Sequence, residues 1–214
     1  MSVAAVVVAG GQGSRFGGLK QFVHVGGDSV AAHSVRHARS VASSVILVVP
    51  LGYEGSGEGA DLVAVGGATR AESVRAGLAY CEDADIVVVH DAARPLATPG
   101  LFRSVVEAVR NGADGAVPGL MITDTVKQVA IDADLLIVQR TEARDELVTV
   151  QTPQAFRREV LVRAHEQRAN ATDDAALVEA LGARVVVVPG ERGNIKITHP
   201  DDLDLVANVH RSDQ

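Results

Sequence analysis

Residues 9–21, AGGQGSRFGGLKQ, follow the apolar run AAVVV and place Arg15 and Lys20 in a glycine-crowded loop. A strand that ends in small residues leaves backbone N–H groups open to a phosphate chain, and two cations from the loop itself would add charge. Two familiar phosphate-binding spacings do not fit. A dinucleotide fingerprint, G-x-G-x-x-G, needs a glycine where Phe16 stands, and Gly17 comes one residue late. A Walker loop needs lysine directly after Gly18, then serine or threonine, but the chain reads Leu19, Lys20, Gln21. What remains is a phosphate cradle of another kind, or an ordinary glycine-rich turn with solvated cations.

The second stretch with chemical content is VVVHDAARP, Val87 to Pro95. A buried strand ending in Asp91 would set a carboxylate at the ligand edge of a parallel sheet. One carboxylate there, with substrate phosphates, suffices to hold a hard divalent cation. Capping of the next helix or pairing with Arg94 is the structural alternative. His90 reads as a hydrogen-bonded histidine at a strand end. His33 and His37 lie four apart without the glutamate of an HExxH site, and they read as surface residues.

Positioning these groups requires strands that end at a common edge. Candidate strands are 3–9, 45–49, 85–89, 115–118 and 184–188, and candidate helices are 29–39, 69–80, 99–111, 157–168, 173–181 and one after Pro200. Continuous β-branched runs alternating with helices imply an α/β fold, a mostly parallel sheet with helices on both faces. Two segments break the alternation. Residues 51–59 read as a Gly- and Glu-rich mobile loop, a linker or a lid, and residues 124–138 read as an inserted hairpin around Asp-Ala-Asp, of the kind that serves as a dimer arm.

Composition limits the function classes. The 214 residues suit one domain, and with aromatics at 3% the core must be built from Val, Ala and Leu. A net charge of −7 with scattered charges argues against a nucleic-acid partner. The apolar runs are too short to cross a bilayer, so no membrane partner is expected. Lone Cys81 cannot form an internal disulfide and no cationic leader precedes the first strand, which together suggest a reducing cytoplasm.

Taken in order, AGGQGSRFGGLKQF, GGATRAESV, VVVHDAARP, RDELVTVQTPQAF, TDDAALVEALG and GNIKIT resemble the 2-C-methyl-D-erythritol 4-phosphate cytidylyltransferases of the non-mevalonate isoprenoid pathway, from Val3 to about Ala207. The resemblance implies a single Rossmann-like nucleotidyltransferase domain and a homodimer with interlocked arms at about 121–145. It also implies CTP and a sugar-alcohol phosphate as substrates, with Mg2+ or another divalent cation. By that resemblance Arg15 and Lys20 stabilise the transferring phosphate, and Asp91 holds the metal. Ala9, Gly10, Gly11 and Gly13 would cradle the triphosphate, Gly67, Arg70 and Ser73 would read cytosine, and Ala92 would touch the nucleotide. Thr125 and Arg144 of a neighbouring subunit, with Lys196, would hold the acceptor phosphate, and Thr152 and Thr172 would add hydroxyls. Asp173 and Asp174 stay open between the substrate side and the start of the following helix.

The chain departs from that pattern at Leu19, where proline is usual, and at Ala68, where a polar residue is frequent. Neither departure removes a charge from the implied centre. A cytidylyltransferase for another sugar-alcohol phosphate such as ribitol 5-phosphate, and a non-catalytic nucleotide-binding homologue, are the rival readings. The intact cations and Asp91 weigh against the second.

Overall fold

The computed structural model describes the chain apart from residues 12, 14, 15, 54, 168–170, 213 and 214 and the side chains of 210–212. Its strands are β1 Val3–Val8, β2 His24–Val25, β3 Asp28–Ser29, β4 Ser44–Val49, β5 Leu62–Val65, β6 Ile86–Asp91, β7 Gly115–Met121, β8 Lys127–Asp132, β9 Leu135–Thr141, β10 Val148–Val150, β11 Gln154–Arg157 and β12 Val185–Pro189. Its helices are α1 Val30–Ala38, α2 Arg70–Leu78, α3 Pro99–Arg110, α4 Arg158–Glu166, α5 Asp174–Glu179 and α6 Asp201–Ser212.

The central sheet is mostly parallel at its core, in the order β5, β4, β1, β6. β11 enters antiparallel between β6 and β7, β10 continues along the same edge of β7, and β12 pairs with β7 in parallel. Period-2 alternation feeds two apolar layers. Val3, Ala5 and Val7 meet Val35 of α1 and Phe102 and Val105 of α3, while Ala4 and Val6 meet Val74 of α2, Leu161 of α4 and Val178 of α5. Helices therefore cover both faces, which is why β1 can be apolar at every position.

Helix starts follow local chemistry. Ser29 accepts the Ala32 N–H, Thr98 accepts the Leu101 N–H ahead of Pro99, and Asp173 accepts the Ala176 N–H. Thr69 and Glu72 form a reciprocal capping box at α2. That box fixes the entry of α2 beside the carboxyl end of β1.

α2 approaches the sheet closely because Gly77 has no side chain. A Cβ there would lie 2.4 Å from Val6 Cγ1 and 3.0 Å from Val48 Cγ2, both on fully buried, β-branched side chains that cannot swing aside. Alanine would gain about 1 kcal/mol of helix propensity, yet overpacking typically costs 1–3 kcal/mol. Gly77→Ala is therefore expected to lower stability by about 1 kcal/mol, read as a shift in the urea midpoint at unchanged m-value.

The hairpin β8–β9 turns at Asp132, Ala133 and Asp134 and, among the described residues, its two strands pair with each other and with no further strand. Its first strand begins later than expected and its second extends to Thr141. Every residue in both strands is exposed, including Ile131, Leu135, Leu136 and Val138. Residues 51–59 form no regular element among the described positions, but they are not a bare linker. Tyr53 stacks on Phe22 at 4.7 Å, and Glu58 accepts hydrogen bonds from the hydroxyls of Tyr53 and Ser29.

Candidate active site

The chain runs from β1 outward through β4 to β5 and then returns to place β6 on the other side of β1. A crevice opens outside the strand ends at such a reversal. Here it is a cleft of about 630 Å³. Ala9, Gly10, Gly11, Gly13 and Lys20 border it from the loop after β1, and Gly67, Arg70 and Ser73 from the start of α2. Asp91 at the end of β6 and Lys196 in the segment after β12 complete the set. Arg15 lies outside the described residues.

Backbone contacts shape the loop. Gly13 sits at φ +64, and a Cβ on it would lie 1.9 Å from the Gly18 carbonyl oxygen, so only glycine allows this crossing. The Gly13 carbonyl accepts from the N–H groups of Phe16 and Gly17, and the Gly18 carbonyl accepts from that of Lys20.

Asp91 carries the electrostatics of the cleft. Its Oδ2 is 2.6 Å from Lys196 Nζ and its Oδ1 is 3.1 Å from Arg70 Nε. Burial alone would raise its pKa, but the charges of Arg70 and Lys196 outweigh burial and hold it well below the usual carboxylate range. Arg70 also donates to Asp174 at 2.7 Å, and the opposite carboxylate oxygen of Asp174 meets His165 Nε2 at 2.9 Å. Burial would lower the Arg70 pKa, yet Asp91 and Asp174 together keep it above its ordinary value. The result is a chain of polar contacts that runs Lys196, Asp91, Arg70, Asp174 and His165. Asp173 supplies the helix cap and Asp174 the ion pair, so the two adjacent acids divide the roles between them. Removing the Asp174 charge would leave mostly buried Arg70 half-compensated. Asp174→Asn is expected to cost about 3 kcal/mol in chemical denaturation, as broken buried pairs do.

Asp91 pairs with Arg70 and Lys196 rather than Arg94, whose guanidinium donates to the Asn194 carbonyl. His90, fully buried at the same strand end, approaches the Arg94 carbonyl through Nε2 and Thr152 Oγ1 through Nδ1, and burial pushes its pKa down to about 3. Thr152 Oγ1 in turn accepts the Asp91 N–H. This hydroxyl is thus engaged on both sides, buried beneath Asp91 and off the cleft wall, where the substrate-side role expected of Thr152 would have set it facing ligand. Ala92 is fully buried, its N–H donating to the Val8 carbonyl, and Ala93 borders the cleft in its place. Thr172, Thr125 and Arg144 are exposed and do not border the cleft within one chain. Arg144 instead donates to the Thr123 carbonyl at the base of the hairpin.

His33 is a correction. It is buried against β2, with Nε2 2.7 Å from the Val25 carbonyl and Nδ1 2.9 Å from Arg36, because α1 turns that face toward the β2–β3 ribbon. Sequence reasoning also passed over Gln21, which donates to the Ala9 and Gly11 carbonyls. It passed over Gln151 and Asn194 too, a buried pair that pins the segment leading to Lys196. An amide beside a loop lysine was the visible signal for Gln21. Nothing local marked Gln151.

A likeness to known proteins agrees with this geometry. Residues 3–211 match the family described as 2-C-methyl-D-erythritol 4-phosphate cytidylyltransferase. The cytidylyltransferase of that name from Streptomyces avermitilis is 45% identical over 96% of this chain and 90% of its own length. A bifunctional enzyme IspD/IspF from Anaeromyxobacter sp. is 49% identical over 97% of this chain, which spans 57% of that relative. The crystal structure of the Thermus thermophilus cytidylyltransferase superposes with a TM-score of 0.82 at 35% identity, covering 99% of this chain and 98% of the other. With residues 3–211 matching the family model and nearly the whole chain covered by these relatives, the protein belongs to the 2-C-methyl-D-erythritol 4-phosphate cytidylyltransferase family.

Proposed function

We propose that this chain transfers the cytidylyl group of CTP to 2-C-methyl-D-erythritol 4-phosphate, giving 4-diphosphocytidyl-2-C-methyl-D-erythritol and pyrophosphate. The observation that carries the reading is the convergence of the glycine loop, Lys20, Asp91 and Lys196 on one cleft, in a chain of this family. An oxygen of the acceptor phosphate attacks the α-phosphorus of CTP, the bond to the bridging oxygen breaks, and pyrophosphate leaves with its electron pair. No side chain needs to take a proton from an ionised phosphate oxygen. The protein's work is alignment and charge neutralisation.

Lys20 neutralises charge that builds on the transferring phosphoryl group, and the Ala9–Gly13 loop directs backbone donors to the triphosphate. Gly67, Arg70 and Ser73 border the end of the cleft suited to the base. Lys196 faces the acceptor side. Among the described residues there is no cluster of three or more metal-ligating side chains. A lone strand-end carboxylate fits a hard divalent cation that keeps its waters and shares the triphosphate, so Asp91 would hold Mg2+ together with CTP. When bound, the ion would offset negative charge on the triphosphate. Lys196 must then give up its contact with Asp91 Oδ2, which frees its ammonium for the acceptor phosphate.

The active unit in this proposal is a homodimer. Thr125 and Arg144 stand at an exposed apolar hairpin away from their own cleft, where they are available to a second copy. Among the described residues no helix is long and apolar enough to cross a membrane. Buried thiol Cys81, with its pKa pushed up to about 12, suits a reducing cytoplasm.

The deciding experiment is magnesium-dependent pyrophosphate release from CTP with 2-C-methyl-D-erythritol 4-phosphate and ribitol 5-phosphate offered separately. Release with the methylerythritol acceptor supports the proposal. A preference for ribitol 5-phosphate would move the substrate, and CTP binding without release from either would overturn the transferase reading.

A further inference from the structure

Gln21 lies in the short 3-10 turn Lys20–Phe22, is only 3% exposed and borders the cleft. A buried carboxamide is costly unless its hydrogens are used. Both are used here, since Nε2 donates to the Ala9 carbonyl at 2.6 Å and to the Gly11 carbonyl at 2.9 Å. In a planar trans peptide the N–H points opposite to the C=O. Holding the Ala9 carbonyl toward Gln21 therefore turns the Gly10 N–H away from Gln21. An anion-binding loop works by the direction of its N–H groups, so one amide decides how the start of this loop presents its donors. The residue before Gln21 is Lys20, and the same two hydrogen bonds fix the distance from the loop to the root of that side chain.

We infer that Gln21 is a positioning residue for nucleotidyl transfer, acting through the loop and Lys20 rather than by touching the reacting atoms. The inference rests on the cytidylyl-transfer reading. A misplacement near 1 Å can cost about 100-fold in rate, which sets the scale for losing the clamp. A tie that served the fold alone would change the unfolding temperature and leave turnover per folded molecule intact.

Gln21→Glu and Gln21→Met separate these roles. The acidic variant keeps the side-chain length but, when ionised, turns a carboxylate against two carbonyl oxygens. When protonated, it regains one O–H donor. Burial beside two carbonyls raises the pKa of that acid, so it protonates as pH falls toward neutrality. For Gln21→Glu we expect kcat about 100-fold below wild type near pH 8.5, with the deficit shrinking to under about 10-fold near pH 6.5. Gln21→Met, apolar and of similar length, should lose about 30-fold or more at both pH values, with KM for the acceptor within about two-fold of wild type. A Gln21→Met enzyme within about three-fold of wild-type kcat would overturn the inference, and so would a Gln21→Glu deficit that does not change with pH. If the acidic variant does not fold, the kcat and KM of Gln21→Met decide alone. Wild-type protein that releases no pyrophosphate would remove the transfer reading and this role together, whereas an active wild type with unaffected variants sinks only the role of Gln21.

Discussion

Lys20→Ala is expected to lower kcat for cytidylyl transfer by about 10²- to 10³-fold while CTP affinity changes by no more than about three-fold. The asymmetry follows from where the charge acts. In the proposed reaction, ground-state CTP meets the loop backbone and Gly67, Arg70 and Ser73 as well as Lys20, all of which border one cleft. Losing one of several contacts therefore weakens binding little. At the transition state, negative charge concentrates on the transferring phosphoryl oxygens beside the loop, where a preorganised ammonium contributes most. Arg15→Ala, which removes the other loop cation, should show a parallel loss. The checks are steady-state kcat and isothermal titration of CTP with magnesium on the same preparations. A variant that binds CTP a hundred-fold more weakly and turns over normally would assign Lys20 to ground-state binding instead.

The loop, the α2 start and Asp91 were legible because each lies at a strand end or helix cap whose signal is local. Val3–Val8 is apolar throughout and Ile86–Asp91 opens on four β-branched residues, and the groups at and just after their carboxyl ends fall at the sheet edge. The partners of Asp91 were not legible. Arg70 is 21 residues away and Lys196 is 105, and only the reversal of strand order beside β1 brings them to one carboxylate. The same long-range dependence hid β11. Its four residues, QAFR, sit antiparallel between β6 and β7 just before α4, and nothing in so short a stretch distinguishes a strand from the start of that helix. β5 carried a visible apolar run, LVAV, but it follows the glycine-rich segment and is half exposed as an edge strand, so its pattern is weak. The surface reading of His33 failed for a related reason. Helical spacing puts it on a face, but burial of that face depends on the two-residue strands β2 and β3, which are too short to read.

Subunit exchange gives the strongest test of a shared site. In the proposed dimer, each cleft takes Lys20 from one chain and Arg144 from the arm of the other. Lys20→Ala and Arg144→Ala proteins should each be nearly inactive, the second because an arginine that grips a phosphate in two places is not replaced by water. In a mixed dimer, one cleft has lost both groups and the other has lost neither. Random exchange of equal amounts makes roughly half the dimers mixed, each with one intact cleft, so activity should recover to about a quarter of wild type. Such a gain cannot come from either parent alone. The exposed position of Arg144, at the hairpin base and away from the residues that border its own cleft, is what makes rescue in trans the expected result. Tagged subunits would report the mixed fraction directly. Heterodimers at the expected fraction without recovered activity would place Arg144 and Lys20 in the same chain's site or outside the site altogether.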